Sequence, residues 1–199
     1  MRRAVDEQLR AYLEDLYHRG REHDAAQADR LERLRNVEPD TAQLLALLVR
    51  ALGARRVLEL GTSNGYSTLW LADAARGVGG RVLSVDVDGA RTAQAAEHLA
   101  HTGLEEYVEL RTEDAALTLA RAGEGSRDMI FLDAERPAYP GYWPDLIRVL
   151  RPGGLLAVDN VLSHANEVQA FRGLVGEEPR VMEALVPTGA GVLLVTTGW

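Results

Sequence analysis

The sequence predicts an α/β fold, built as a doubly wound and mostly parallel sheet of seven strands. From Arg56 onward, short apolar runs alternate with helical segments. The runs are continuous, which is typical of strands buried on both faces of a sheet. The first five runs lie at 57–60, 82–87, 107–110, 129–133 and 155–159. The helices between and after them are predicted at 66–76, 89–102, 114–122 and 143–150.

Three helices are predicted before this core. The first, at 4–17, is amphipathic, and the second is charged and reaches about Asn36. Pro39 opens the third, which ends near Gly53, because proline suits the first turn of a helix and glycine its end. The apolar side chains of the first two helices are Val5, Leu9, Leu13, Leu16, Tyr17, Leu31 and Leu34.

The C-terminal part predicts a helix at about 166–175 and then two more strands. The runs 181–186 and 191–197 flank the turn-forming sequence PTGAG, which indicates an antiparallel hairpin at the sheet edge. The chain has no repeats and no linker. We therefore expect one domain over 1–199, in which 1–53 form the N-terminal helices and 54–199 the core.

The composition excludes several function classes. The 199 residues carry 22 basic and 30 acidic side chains, a formal net charge of −8, which disfavours broad binding to nucleic-acid phosphates. Cysteine is absent, so disulfides, thiolate nucleophiles and cysteine metal sites are excluded. All 22 cations are arginine, which excludes Schiff-base chemistry and the Walker A lysine. Because no apolar run could span a bilayer and the charged N-terminus is no signal peptide, we expect a cytoplasmic protein without membrane contact.

A glycine-rich turn follows the first strand, in the sequence ELGTSNGYST. Gly61 and Gly65 flank this turn, and the next helix begins at Tyr66. Glycine lets a ligand approach the backbone closely, and a helix N-terminus favours an anionic group. The spacing Gly-x-x-x-Gly lacks the middle glycine of the dinucleotide fingerprint. This counts against NAD and favours a ligand without pyrophosphate.

Acidic residues end the next two strands. Asp86 lies 25 residues after Gly61, and its carboxylate can accept hydrogen bonds from both hydroxyls of a ribose. Alternatively, Asp86 and Asp88 only cap the following helix. Asp114 either caps the helix at 115–122 or accepts a hydrogen bond from an adenine amino group. The turn and Asp86 together favour an adenosine ligand.

Oxygen-bearing side chains also end the fourth and fifth strands. Asp133 ends the fourth, and Asp159 and Asn160 end the fifth. Adjacent parallel strands lie about 4.8 Å apart, so neighbouring strands would bring these side chains together. Three hard oxygen ligands suit Mg²⁺ or a similar cation. The alternative is that Asp159 and Asn160 only shape the turn after the strand.

From about Asn36 to the C-terminus, the chain resembles the class I, Rossmann-like methyltransferases that depend on S-adenosylmethionine (SAM). It is most similar to the catechol and caffeoyl-CoA O-methyltransferases and their bacterial relatives. The motifs that carry this resemblance are NVEPDTAQ, VLELGTSNGYST, LSVDVD, DMIFLDAER, RPGGLLAVDNVL and PTGAGVLL. The resemblance implies methyl transfer from SAM to a hydroxyl of a small, catechol-like aromatic substrate. It also implies a homodimer, for which the apolar stripe of the first helix is a candidate interface, although packing within one chain explains that stripe equally well.

The resemblance also assigns site residues. By this resemblance, the methionine part of the cofactor is bound by the Val37 backbone, Glu59, Gly61 and Ser67. The ribose is bound by Asp86, and the adenine by Asp114 and Ala115. The metal ligands are Asp133, Asp159 and Asn160. The whole implied cofactor site is Val37, Glu59, Gly61, Thr62, Ser63, Gly65, Tyr66, Ser67, Asp86, Val87, Asp114, Ala115 and Asp133.

One departure concerns the implied catalytic residues, Asp133, Arg136 and His164. The family usually reads Asp-Ala-Asp-Lys, with the lysine as general base, whereas this chain reads DAER at 133–136. Arginine stays protonated in proteins, so Arg136 cannot be that base. It can instead hold a substrate phenolate or carboxylate. His164 is the best titratable candidate for a base, and the alternative for His164 is a capping or surface role.

Other functions stay open at this point. One is methylation of a hydroxylated tRNA base, with Arg30, Arg33 and Arg35 as a candidate RNA patch. Another is metal-independent methylation of a specialised metabolite. Outside the methyltransferases, a nicotinamide dehydrogenase would need the middle glycine that this chain lacks. A non-catalytic cofactor-binding module is another alternative, because the usual lysine base is missing.

Overall fold

The computed structural model describes residues 6–29 and 32–198. The first helix, α1, is a single helix over Glu7–Ala26 and begins at the N-cap Asp6. The prediction of a second, charged helix reaching Asn36 is wrong. The carboxylate of Asp24 accepts hydrogen bonds from the backbone amides of Leu34 and Arg35, at 2.7 and 2.9 Å. Such side-chain bonds compete with helical ones, and the chain turns back over 32–38.

Three residues named in the sequence analysis, Val5, Arg30 and Leu31, lie outside the described residues. The rest of the α1 stripe packs inside the chain. Leu9, Leu13 and Leu16 are all buried in the core between the sheet and the N-terminal helices. Packing within one chain therefore accounts for this stripe.

The sheet has seven strands in the order β3-β2-β1-β4-β5-β7-β6, which confirms the predicted fold class. Strands β1 to β5 run parallel to one another, and β7 runs antiparallel between β5 and β6. The hairpin thus places β6 at the edge. The strands are β1 Arg56–Leu60, β2 Arg81–Asp86, β3 Val108–Thr112, β4 Arg127–Leu132, β5 Leu150–Val158, β6 Val181–Val186 and β7 Val192–Thr197.

The helices cover both faces of this sheet and follow the predicted segments, except that the helix predicted at 143–150 spans Tyr139–Val149 and so begins four residues earlier. Pro39 stands at the start of α2, and Gly53 ends it in a left-handed conformation. The last helix begins three residues later than predicted, because turns occupy 161–167. The remaining helices are α2 Pro39–Leu52, α3 Tyr66–Val78, α4 Gly89–Thr102, α5 Ala115–Arg121, α6 Tyr139–Val149 and α7 Gln169–Glu177.

Two apolar cores form, one on each side of the sheet. Successive residues of β1 point to opposite faces, so Val57 enters one core and Leu58 the other. Helices α1 to α4 cover the first core, and α5 to α7 cover the second. The continuous apolar runs in the sequence reflect this burial on both faces. None of the helices within 6–29 and 32–198 is long and apolar enough to cross a membrane.

The strand order reverses at β1, which lies between β2 and β4. In open α/β sheets, a ligand binds outside the carboxyl ends of the strands at such a point. The turn after β1 and the residues that end β2, β4 and β5 all lie at this edge.

Candidate active site

The turn between β1 and α3 requires glycine at two positions. Gly61 has a φ of +108°, and a Cβ atom there would lie 2.3 Å from the backbone oxygen of Asp133. Gly65 has a φ of +88°, and its Cβ would lie 2.8 Å from that of Ala95. The turn therefore packs against the end of β4 and against α4 with no room for side chains. It brings the start of α3 to the reversal point.

Asp86 closes this turn from the neighbouring strand. Its Oδ2 accepts a hydrogen bond from the Ser63 amide at 2.8 Å, and its Oδ1 accepts one from the Asp88 amide at 3.0 Å. Asp88, not Asp86, caps α4, because it accepts from the amides of Ala90 and Arg91. The capping alternative for Asp86 is thus wrong, and its carboxylate meets the glycine turn.

A cleft of about 600 Å³ opens over this edge of the sheet. Its size lies in the usual range for small-molecule and cofactor sites. Most of the sequence-predicted site residues line it. They are Val37, Gly61, Thr62, Ser63, Tyr66, Ser67, Asp86, Val87, Asp114, Ala115, Asp133, Arg136, Asp159, Asn160 and His164.

Glu59 and Gly65 do not line the cleft. Glu59 is fully buried below the turn and accepts hydrogen bonds from the hydroxyls of Ser67, Thr68 and Ser84. Burial raises the pKa of its carboxyl to about 7, although these three bonds act in the opposite direction. Glu59 thus holds Ser67 and the α3 N-terminus in place from the protein interior, outside the cleft.

Asp114 is the N-cap of α5, and its Oδ1 accepts a hydrogen bond from the Ala116 amide at 2.7 Å. It also lines the cleft, so the capping role is compatible with a contact to a ligand. Tyr142 lies on the same wall, whereas Tyr139 and Trp143 are buried in the core beneath α6. Only Tyr142 of these three aromatics lines the cleft.

Asp133, Asp159 and Asn160 come together at the other end of the cleft. Asn160 has a φ of +66°, and its Nδ2 donates to Oδ1 of Asp133 at 2.9 Å and to Oδ2 of Asp159 at 3.3 Å. Burial and the neighbouring charge of Asp159 raise the pKa of Asp133 well above its usual range. Burial likewise raises the pKa of Asp159 to about 6.

These residues fit a cation site. The Oδ1 atom of Asp159 is buried and has no hydrogen-bond partner among the described residues. Two neighbouring buried carboxylates repel each other unless a positive charge or a proton compensates them. Within the described part of the chain, no group of three His, Cys, Asp or Glu side chains could hold a metal. The candidate ligand set therefore depends on the Asn160 amide as its third member. That amide would have to turn to offer its oxygen, because its Nδ2 faces the two carboxylates here and its Oδ1 lies 3.4 Å from Ser163 Oγ.

Arg136 and His164 border this end of the cleft. The Arg136 side chain is only 3% exposed, and its Nε donates to Oε2 of Glu167 at 2.8 Å. The Oγ of Ser163 lies 2.8 Å from Nδ1 of His164. The structure thus places both residues near the acidic pair, and it holds Arg136 through Glu167.

Segment 32–38 covers the cleft from the N-terminal side, which the sequence analysis did not predict. Nη2 of Arg35 forms an ion pair with Oε1 of Glu135 at 2.8 Å, and Ser63 Oγ donates to the Leu34 carbonyl at 2.8 Å. Arg33 donates to the carbonyl of Gln27. Two arginines of the candidate RNA patch are therefore engaged within the protein. Charge pairing between residues 100 positions apart leaves no signal in a single sequence.

The comparisons with known proteins agree with this geometry. The model of a family described as O-methyltransferase matches residues 7–197. Over 176 residues, the chain is 34% identical to a catechol O-methyltransferase of Mycobacterium tuberculosis, with 83% of this chain and 78% of the relative covered. It is 38% identical over 130 residues to a catechol O-methyltransferase of Niastella koreensis, with 64% of this chain and 58% of that protein's length covered.

Solved structures show the same fold at similar lengths. The O-methyltransferase of Bacillus cereus in complex with SAH has a TM-score of 0.78 at 27% identity, and the match covers 97% of this chain and 92% of that one. TomG of Streptomyces achromogenes, in complex with SAM, has a TM-score of 0.77 at 29% identity, with 98% and 92% covered. The chain therefore belongs to the O-methyltransferase family.

Proposed function

We propose that this enzyme transfers the methyl group of SAM to a hydroxyl of a small, catechol-like aromatic substrate. One observation carries the proposal: the glycine turn with Asp86, and the cluster of Asp133, Asp159 and Asn160, open into the same cleft. The first set suits an adenosine ligand, and the second suits a chelated pair of hydroxyls. The SAM- and SAH-bound relatives support the choice of cofactor.

The cofactor would lie along the turn from α3 to α5. The carboxylate of Asp86 would accept hydrogen bonds from the ribose, and the α3 N-terminus with Ser67 would hold the charged methionine end. Asp114 and Ala115 would border the adenine. In this arrangement the sulfonium methyl would point toward Asp133, where the acceptor would bind.

Asp133, Asp159 and Asn160 would hold a divalent cation, which lowers the pKa of a bound hydroxyl and so supplies a more nucleophilic oxygen. The protein residues orient that oxygen in line with the S–CH₃ bond, an effect worth about 7–11 kcal/mol in well-oriented reactions. The oxygen forms a bond to the methyl carbon, the S–C bond breaks, and its electron pair returns to sulfur as SAM becomes SAH. His164, which lines the same cleft, would receive the hydroxyl proton, because the permanently charged Arg136 cannot accept it.

The proposal is tested by binding and then by turnover. Calorimetry should show saturable binding of SAH to the wild-type protein, and the absence of any binding heat contradicts the proposal. With SAM and catechol, we expect a methylated product whose formation stops in EDTA and returns with added Mg²⁺. The Asp159→Ala variant should bind SAH but lose turnover. Full activity in EDTA would exclude the cation and favour metal-independent methylation.

A further inference from the structure

The guanidinium of Arg136, a residue that lines the cleft, forms a hydrogen bond through Nε but through neither terminal amino group within the described residues. Its Nε is engaged by Glu167 at 2.8 Å, while none of the described residues accepts a hydrogen bond from Nη1 or Nη2. The side chain is 3% exposed, yet the residue lines the cleft. A nearly buried cation therefore lies at the wall of the cleft, and its two terminal amino groups have no hydrogen-bond acceptor among residues 6–29 and 32–198.

Such a group favours the binding of an anion whose shape matches the guanidinium. Buried charged groups are normally paired, because their desolvation is otherwise uncompensated. The two terminal amino groups of arginine form a planar fork that matches both oxygens of a carboxylate. A phenolate offers only one oxygen, and under the proposed function that oxygen belongs with Asp133 and Asp159. The fork thus fits a second, non-reacting group of the acceptor.

The charge of Arg136 partly offsets the rise in the pKa of Asp133 and of Asp159, and a cation bound by that pair, as proposed above, would offset their negative charge beside an anionic acceptor. The carboxylate of Glu135 is paired with Arg35 at 2.8 Å, and Glu38 accepts a hydrogen bond from the hydroxyl of Tyr17. Glu167 accepts a hydrogen bond from Nε of Arg136 at 2.8 Å and so fixes the direction of the fork. Glu167 is therefore a positioning residue that acts through Arg136.

We propose, resting on the proposed function, that the acceptor is a hydroxylated aromatic acid whose carboxylate binds Nη1 and Nη2 of Arg136. Its hydroxyls then lie toward Asp133, Asp159 and Asn160. The carboxylate selects the substrate and takes no part in the methyl transfer. Arg136 is thus a specificity determinant at the position where the family usually has a lysine base.

The test compares 3,4-dihydroxybenzoate with its methyl ester, which keeps both hydroxyls but lacks the negative charge. For the wild type, we expect kcat/KM to be at least about tenfold higher with the acid, as for one charge-assisted contact. Arg136→Met should lower kcat/KM for the acid by a factor about tenfold or more larger than for the ester. Arg136→Lys should restore part of the preference, and Glu167→Gln should weaken it. Arg180→Met removes a surface arginine paired with Glu178 and should change neither substrate.

Binding to the SAH-saturated protein provides a readout independent of turnover. Calorimetry should show tighter binding of the acid than of the ester, and Arg136→Met should abolish the difference. If the acid binds in this way but is not methylated, the proposed reaction fails and the carboxylate site stands. Equal losses for acid and ester in Arg136→Met would place Arg136 at the shared hydroxyl end and overturn the inference. A wild type without preference for the acid in binding would overturn it as well.

Discussion

The carboxylate of Asp86 accepts a hydrogen bond from the backbone amide of Ser63, with 2.8 Å between Oδ2 and the amide nitrogen. This bond joins the end of β2 to the glycine turn after β1. Ser63 has a φ of +48°, a conformation that non-glycine residues seldom adopt. Asp86 therefore has two roles, because it stabilises the turn and presents its carboxylate to the cleft.

Replacing Asp86 should weaken cofactor binding strongly. In Asp86→Ala the ribose loses its acceptor and the Ser63 amide loses its partner, and hydrogen bonds to charged groups contribute about 1.5–3 kcal/mol. We expect the Kd of SAH to rise roughly 10- to 150-fold in calorimetry. Asp15→Ala removes an exposed carboxylate paired with Arg19 on α1 and is the control. An unchanged Kd in Asp86→Ala would show that the cofactor binds elsewhere.

The two glycines Gly61 and Gly53 should differ sharply in their tolerance of alanine. Both have positive φ, but a Cβ at Gly61 would lie 2.3 Å from a backbone oxygen, whereas nothing lies within 4 Å of one at Gly53. Gly53→Ala should cost about 1–2 kcal/mol of unfolding free energy through backbone strain alone. Gly61→Ala adds a clash and should cost about 3–5 kcal/mol. Urea denaturation measures both values, and equal costs would contradict this packing.

Protonation of Glu59 should make stability depend on pH. Its pKa is raised to about 7 in the folded protein by burial, from a value of 4.5 for an exposed glutamate. The folded state thus keeps a proton that the unfolded chain has lost. This contribution is full below pH 4.5 and is lost as the pH rises toward 7, by about 3 kcal/mol in total.

The measurement is urea denaturation of wild type and Glu59→Gln between pH 5 and 8. The difference in unfolding free energy between the two proteins should change steadily over this range, in favour of the variant at high pH. Glu106→Gln alters an exposed glutamate and should run parallel to the wild type. A constant difference between wild type and Glu59→Gln would contradict the assignment.

The sequence was informative wherever a local pattern has one structural solution. Continuous apolar runs predicted the strands, and glycine spacing predicted the turn, because positive φ and close packing admit few residues. Carboxylates at strand ends were also predictable, since parallel strands share one edge. The Asp86 carboxylate and the acidic pair therefore reached the cleft as predicted.

The failures share a different cause. The charged segment after α1 has a helical composition, but Asp24 binds the amides of Leu34 and Arg35 and turns the chain over the cleft. Glu59 belongs to the same motif as residues that line the cleft. Its carboxylate is nevertheless buried outside the cleft, where three hydroxyls donate hydrogen bonds to it. Tertiary partners decide both cases, and one sequence does not reveal them.

The ion pair between Arg35 and Glu135 should slow release of the cofactor. It joins segment 32–38 to the loop after β4 across the cleft, and its side chains are 32% and 49% exposed. Such a half-exposed pair is weakened by salt. We expect the dissociation rate of SAH, followed by stopped-flow fluorescence, to increase with ionic strength in the wild type. In Arg35→Ala and Glu135→Ala, it should be about 2- to 5-fold faster and less sensitive to salt, as for a pair worth about 0.5–1 kcal/mol.

A double-mutant cycle isolates the pair from other effects of each residue. The combined variant Arg35→Ala with Glu135→Ala should release SAH no faster than the faster single variant, because one interaction is lost in all three. The charge swap Arg35→Glu with Glu135→Arg should recover part of the slow release. Arg180→Ala breaks a surface pair far from the cleft and should leave the rate unchanged. Additive effects in the cycle would mean that the two residues act separately, and that segment 32–38 is held over the cleft by its other contacts, among them those of its backbone with Asp24, Ser63 and Arg91.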